Sequence, residues 1–272
     1  MKILDGRELA DYIKERQAKQ VRALRQAWNV FPKLAIIQSG ENAVSDVYVR
    51  SKQAYGTDIQ VDVDVYTVSH DQLISTIQQL NADESVHGVI VQLPIEQPDM
   101  TDEVVAAIIP SKDVDGLGPK ADYVSATATA IDWLLAGYNV TLRGREIAII
   151  GNGRLVGAPL AALWRTAGHD VSVYDDTVDD LKAAIRGAQI VISATGQPGL
   201  VTEHMLQPGA VVVDAGTATE NGKVVGDVAP SVRERTDLVM TPEKGGVGPL
   251  TVAALFDNVI TSARKVADQQ SD

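Results

Sequence analysis

Residues 147–176 constrain the fold of this chain more than any other stretch. A short apolar run, Ile147-Ala148-Ile149-Ile150, leads into Gly151-Asn152-Gly153-Arg154-Leu155-Val156-Gly157. A helical run follows from Leu155 to Ala167, with apolar residues at 156, 160, 163 and 167 and Gly168 to stop it. Then Val171-Ser172-Val173-Tyr174 ends on Asp175 and Asp176. Strand, glycine turn, helix and acid-ended strand in that order make the plan of a dinucleotide site. Gly151 permits a turn with positive φ, Gly153 lets backbone approach a pyrophosphate, and Gly157 lets the helix pack closely. The anion would sit at the helix N-terminus, where free N–H groups and the dipole favour negative charge. The spacing Gly-x-Gly-x-x-x-Gly is one residue longer than the commonest fingerprint, and Asp175 falls 24 residues after Gly151, near where a ribose-binding acid is expected.

At 272 residues, with 45% hydrophobic and 22% charged residues, the chain is expected to be a soluble globule of one large or two medium domains. With 0 cysteines it has no disulfide, thiolate metal site or cysteine nucleophile, which suits the cytoplasm. The net charge of −12 argues against nucleic acid and anionic membranes as partners. The N-terminus meets charge too early for a signal peptide, and no apolar run approaches the ~18 residues of a membrane span. His70, His87, His169 and His204 lack metal-ligand spacing, so no metal site is expected. Residues 268–272 are expected to fray.

Taken in order, residues 7–28 have helical spacing and Leu34-Ala-Ile-Ile37 reads as a buried strand. Val44 to Tyr55 reads as a helix stopped by Gly56, with Ser45, Tyr48 and Lys52 along one stripe. Such a stripe suits a planar anionic ligand, or else a lysine snorkelling past a packed tyrosine. Ile59 to Tyr66 alternates like a strand with one wet face, and residues 69–82 form a helix. Gly88-Val-Ile-Val-Gln92 is a buried strand ending on a polar residue, where ligands gather in open α/β sheets. A short helix over 101–109 precedes the loop Lys112-Asp113-Val-Asp115-Gly116, a ligand loop or an ordinary turn. Residues 128–136 form a connecting helix. Later strands end at Thr195-Gly196, at Gly216-Thr217 and before Gly245, loops that would gather round a cofactor, and 250–266 is a terminal helix.

Together these pieces resemble the bifunctional methylenetetrahydrofolate dehydrogenase/methenyltetrahydrofolate cyclohydrolase family. The resemblance is carried by Tyr48-Val-Arg-Ser-Lys52, Val91-Gln92-Leu-Pro94, Lys112-Asp-Val-Asp115-Gly116, Val224-Val-Gly226-Asp227-Val228 and Gly245-Gly-Val-Gly248-Pro249-Leu-Thr251. It implies two α/β domains with a cleft between them: a folate-binding catalytic domain over 1–127 with helix 250–272, and a Rossmann-like domain over 128–249. It also implies a homodimer, oxidation of 5,10-methylenetetrahydrofolate with NAD(P), and hydrolysis of the methenyl product to 10-formyltetrahydrofolate. By position, Lys52 would be the catalytic lysine, Gln92 its tuning partner, Asp115 the pterin-binding acid and Tyr48 the residue stacked on the aminobenzoyl group. Gly248 and Pro249 would line the substrate site. Thr127, Gly151, Asn152, Gly153, Arg154, Gly157, Asp175, Asp176, Thr195, Gly196, Gly216 and Thr217 would hold the cofactor.

The chain departs from the family in places. Ser125-Ala126-Thr127-Ala128 stands where Pro-Cys/Ser-Thr-Pro is usual, the segment after Gly116 is short, Gly-Arg-Ser is replaced by Gly151-Asn152-Gly153, and Lys244 replaces a proline. The family default in bacteria is NADP. Asp175 and Asp176 would accept a ribose 2′-hydroxyl and repel a 2′-phosphate, which leans this chain toward NAD. Two other readings compete: the same fold with one activity or none, and a shikimate-type dehydrogenase.

Overall fold

The computed structural model describes residues 2–40, 43–220 and 223–269. The chain packs as two compact units. The first comprises Asp11–Ala126 and Val252–Asp272, the second Met1–Ala10 and Thr127–Thr251. It starts with β1 (Lys2–Ile3) and α1 (Gly6–Trp28), whose first residues belong to the second unit and the rest to the first. Then come β2 (Lys33–Ser39), α2 (Ala43–Ile59), β3 (Asp62–Val68), α3 (Leu73–Ala82), β4 (Gly88–Gln92) and α4 (Thr101–Ala106). No helix among the described residues is long and apolar enough to cross a membrane.

In the first unit the strands form a parallel sheet in the order β3-β2-β4. Leu34, Ala35, Ile36 and Ile37 of the central strand are wholly buried, so that strand reads as a continuous apolar run. A buried amide ties three helices together. Gln17 of α1 donates to Ala253 O at 2.8 Å and accepts from the Tyr55 hydroxyl of α2 at 2.7 Å. Tyr55 in turn stacks on Phe256, with ring centroids 5.1 Å apart.

Among the boundaries that differ from the sequence reading are the end of α2 and the start of β3. Helix α2 runs through Gly56 to Ile59 and ends at Gln60, whose φ is +64°. Gly56 is there for contact: a Cβ would lie 2.5 Å from Val63 Cγ2 and 2.9 Å from Val61 O. Ile59, read as the start of a strand, is instead a wholly buried helix end, and β3 begins at Asp62. The alternation continued across the turn because apolar residues recur at every second position from Ile59 through Val61 and Val63 to Val65 although the helix ends at Ile59.

The second unit holds α5 (Ala126–Gly137), β5 (Ile147–Ile150), α6 (Gly157–Thr166), β6 (Val171–Tyr174), α7 (Leu181–Ile185), β7 (Ile190–Ser193) and β8 (Val211–Asp214). The antiparallel pair β9 (Ala218–Glu220) and β10 (Lys223–Val225), then α8 (Pro230–Arg233) and β11 (Val239–Met240), complete it before α9 (Val247–Gln269). Its parallel sheet has the order β1-β11-β8-β7-β5-β6. Residues 1–10, placed by sequence in the first domain, belong here because Lys2 and Ile3 pair with Val239 and Met240. A strand of two residues leaves no period to read. Of the tail expected to fray, Asp268 and Gln269 are helical, and residues 270–272 lie outside the described residues.

Replacing Gly56 by Ala separates propensity from packing. Alanine gains about 1 kcal/mol in a helix interior, whereas overpacking costs about 1–3 kcal/mol. The expected result is a lower urea midpoint for G56A; a higher one would mean Val63 yields freely.

Candidate active site

Helix α2 carries the residues that organise the first unit's polar edge. Ser45 is buried, Lys52 half-buried, and Tyr48 is 38% exposed, so the stripe grades from core to solvent. At the carboxyl edge of the sheet, Gln38 of β2 and Gln92 of β4 are register partners. Gln38 donates to Asp46 in the first turn of α2 at 2.6 Å. Lys52 Nζ donates to Gln92 Oε1 at 2.8 Å. The Gln92 amide is fixed in that sense because its Nε2 donates to Leu93 O at 2.9 Å.

Burial sets the charge states. Lys52 is held below the ordinary lysine range because burial disfavours the ammonium form, an effect the nearby Asp115 carboxylate opposes. Burial pushes Asp115 up to about 6, with Lys52 pulling it down and Asp113 adding to the rise. Burial thus shifts both groups toward their neutral forms, the amine losing its proton more readily and the acid keeping its own.

The loop bearing Asp115 is built by its neighbours. Lys112 Nζ donates to Leu80 O, Asn81 O and Asp83 O at 2.9, 2.9 and 2.6 Å, closing the C-terminus of α3. Asp113, 2% exposed, accepts N–H groups from Gly116, Leu117 and Gly118 at 3.1, 3.4 and 2.7 Å. The chain folds back there, with Gly116 at φ +69° and Ala126 N donating to Asp115 O at 3.3 Å. Asn258 of α9 donates to Val114 O and Val124 O at 2.8 and 3.2 Å. Lys112 and Asp113 are thus structural, and the short segment after Gly116 is a closed, braced loop.

In the second unit, strand order reverses between β5 and β7, the switch point where ligands bind open sheets. Gly151, at φ +95°, donates to Tyr174 O at 2.7 Å, and a Cβ on it would meet Ala194 O at 2.6 Å. A Cβ on Gly157 would lie 1.8 Å from Gly151 O. A Cβ on Gly153 would meet nothing within 4 Å, so that glycine presents open backbone beside the start of α6. The helix begins at Gly157 rather than at Leu155, which is 46% exposed. A Cβ on Gly196 would lie 3.3 Å from Thr217 O, so the loops after β7 and β8 touch. This cradle fits a nucleotide pyrophosphate at the helix N-terminus. Asp175 Oδ1 accepts from Thr177 N at 3.1 Å and Thr177 Oγ1 at 2.6 Å, which holds its carboxyl below the usual range.

A family model described as the tetrahydrofolate dehydrogenase/cyclohydrolase catalytic domain matches residues 4–115, and one for the NAD(P)-binding domain of the same family matches 125–267. The chain belongs to this family. Bifunctional protein FolD of Lactobacillus acidophilus is 36% identical over 97% of this chain and 98% of its own length. Bifunctional FolD from Campylobacter jejuni, 34% identical, superposes with a TM-score of 0.91 over 98% of this chain and 99% of that one. The Trypanosoma brucei enzyme, solved with NADP cofactor and inhibitor, is 29% identical with a TM-score of 0.90 and covers 97% of each chain. Residues 116–124 fall between the two matched segments, whereas the departing stretch Ser125–Ala128 lies within the second.

The structure brings Lys52, Gln92 and Asp115 together in the first unit, with Tyr48 one turn before Lys52 on α2. Thr127 lies in the first turn of α5, and Gly248 and Pro249 in the first turn of α9. Gly151, Thr195, Gly196 and Thr217 share the switch-point edge, whereas Asn152, Arg154, Asp175 and Asp176 are exposed around it. Sequence reasoning assigned no role to a linked set, buried Ser193 and Asp227 with part-buried Asp214 and Arg233. The signals were acid at the ends of apolar runs and the Val224–Val228 motif that contains Asp227.

The raised pKa of Asp115 has a signed consequence for stability. Between the ordinary carboxylate range and about 6 the folded protein holds a proton that the unfolded chain has lost. Asp115 therefore stabilises the fold most at low pH, and that contribution is lost as pH rises from about 4 to about 6. Urea midpoints across this window should fall more steeply in the wild type than in D115N. Parallel curves would mean Asp115 ionises normally.

Proposed function

We propose that this chain oxidises 5,10-methylenetetrahydrofolate with a nicotinamide dinucleotide and then hydrolyses the methenyl product to 10-formyltetrahydrofolate, with Lys52 as the proton carrier of the second step. The observation that carries this reading is the desolvated Lys52 amine bonded to an orientated Gln92 beside Asp115, on the helix that also presents Tyr48. The bound dinucleotide supplies a hydride acceptor in the first step. Gly151, Gly153 and Gly157 would hold its pyrophosphate, and the loops at Thr195–Gly196 and Gly216–Thr217 would flank it.

In the hydrolytic step water adds to the electrophilic methenyl carbon, and the neutral Lys52 amine takes the proton that water loses. The resulting ammonium returns the proton to the departing ring nitrogen as its bond to carbon breaks. The carbon-bound hydroxyl then loses its proton to solvent and becomes the formyl oxygen. Gln92 keeps the amine pointed at the reaction, Asp115 orients the pterin, and Tyr48 offers its ring to the aminobenzoyl group.

Asp175 supports NAD as the preferred dinucleotide. Thr177 holds that carboxylate ionised at the end of β6, where a 2′-phosphate would meet its charge. The Trypanosoma brucei relative was solved with NADP, so the fold accommodates the phosphorylated dinucleotide and the argument for NAD rests on Asp175 alone.

Assays of wild type and K52M with each dinucleotide test the proposal. The wild type should reduce both, NAD at the higher kcat/KM, and hydrolyse methenyltetrahydrofolate. K52M should lose about a hundredfold or more in hydrolysis, the usual worth of a positioned acid–base group, while remaining folded. Unchanged hydrolysis in K52M would remove Lys52 from the mechanism, and a strong preference for NADP would remove the argument from Asp175.

A further inference from the structure

The second unit buries a carboxylate that the chemistry above does not use. Asp227, in the turn after β10, is wholly buried. Its Oδ2 accepts two hydrogen bonds at 2.7 Å each, from Ser193 Oγ and from the backbone N–H of Thr195. Its Oδ1 has no partner among the described residues. Burying an acid with one oxygen unsatisfied costs stability, so what the other oxygen holds is informative.

A second carboxylate locks the first in place. Asp214, at the end of β8, accepts from the backbone N–H groups of Asp227 and Val228 at 2.9 and 3.2 Å and pairs with Arg233 at 3.0 Å. Each acid fills the space beside a glycine. A Cβ on Gly216 would lie 2.0 Å from the Asp227 carboxylate, and one on Gly226 would lie 2.1 Å from that of Asp214. Two loops are thus pinned by two buried acids and a single guanidinium. This arrangement also explains Gly216: it is glycine because Asp227 occupies its side-chain position.

Thr195 gives the network its direction. Its loop leaves β7 at the switch point, where Ala194 O packs against Gly151 of the phosphate turn. One residue on, Gly196 packs against Thr217 O of the loop after β8. Fixing Thr195 N–H therefore sets three loop positions at the edge where the dinucleotide belongs.

We infer that Asp227 is a positioning residue for dinucleotide binding, acting as the buried acceptor that holds the Thr195 loop against the phosphate turn. This rests on the reading that the second unit binds NAD(P).

The test is calorimetric titration of NAD and of NADP into the apo protein, for wild type, D227A and D227N, with methenyl hydrolysis measured on the same samples as a dinucleotide-free activity. D227A should weaken dinucleotide binding about tenfold, the scale of one or two lost hydrogen bonds, while hydrolysis persists. D227N should restore affinity to within about threefold of wild type, because its carbonyl oxygen accepts both bonds in place of Oδ2. Unchanged affinity in D227A would overturn the inference. So would binding and hydrolysis falling in parallel, which would make Asp227 a general support, or D227N as weak as D227A, which would make charge rather than the acceptor decisive. Failure of the wild type to bind either dinucleotide would instead defeat the reading on which the inference rests.

Discussion

The contact between Lys52 Nζ and Gln92 Oε1 is the interaction on which the catalytic unit depends. It joins a helix to the carboxyl end of a strand and places a desolvated amine at that edge beside the Asp115 carboxylate. Each support has an identifiable cause. The strand ends on an amide whose nitrogen is tied back to Leu93 O. The helix is bound again at its first turn through Gln38 and Asp46. The acid that opposes the loss of charge on Lys52 rides on a loop closed by Asp113 and braced by Asn258. Burial depresses the amine and raises the acid, so one physical effect prepares both groups for proton traffic.

The nucleotide unit works by a different economy, that of backbone. Its recognisable residues are glycines, and two of them are required by contacts under 3 Å that any side chain would violate, at Gly151 and Gly157. Gly153 faces open space and offers main chain to a ligand. On the proposed reading, hydrolysis draws on Lys52, Gln92 and Asp115 of the first unit, and hydride transfer draws as well on a dinucleotide held by the second.

Much of this was legible in the sequence where local sterics or period decide. The phosphate turn was readable because glycine is dictated by nearby backbone, and β2 because burial on both faces leaves an unbroken apolar run. The stripe of Tyr48 and Lys52 followed from helical spacing, but whether its lysine packed or reacted did not. That choice depends on Gln92, forty residues away and on another element. Spacing alone did not separate the two acids of Asp113-Val-Asp115, and only the family resemblance singled out Asp115; the fold gives the physical reason, with Asp113 accepting three backbone N–H groups and Asp115 beside Lys52. Gly56 read as a helix stop because glycine usually marks one, whereas here it allows close packing on Val63. The two-residue β1 left almost no sequence signal, and the motif holding Asp227 stood out without its role, because each is defined by partners distant in the chain.

The measurement that tests this account most directly is the titration of the lysine ε-CH₂ resonances by heteronuclear NMR, with the Lys52 signal assigned by its absence in K52M. Lys52 should lose its proton well below the exposed lysines, whose ordinary value is about 10.4. A Lys52 resonance that titrates together with those lysines would contradict the account, because the amine would then be a solvated cation and not a proton carrier near neutral pH.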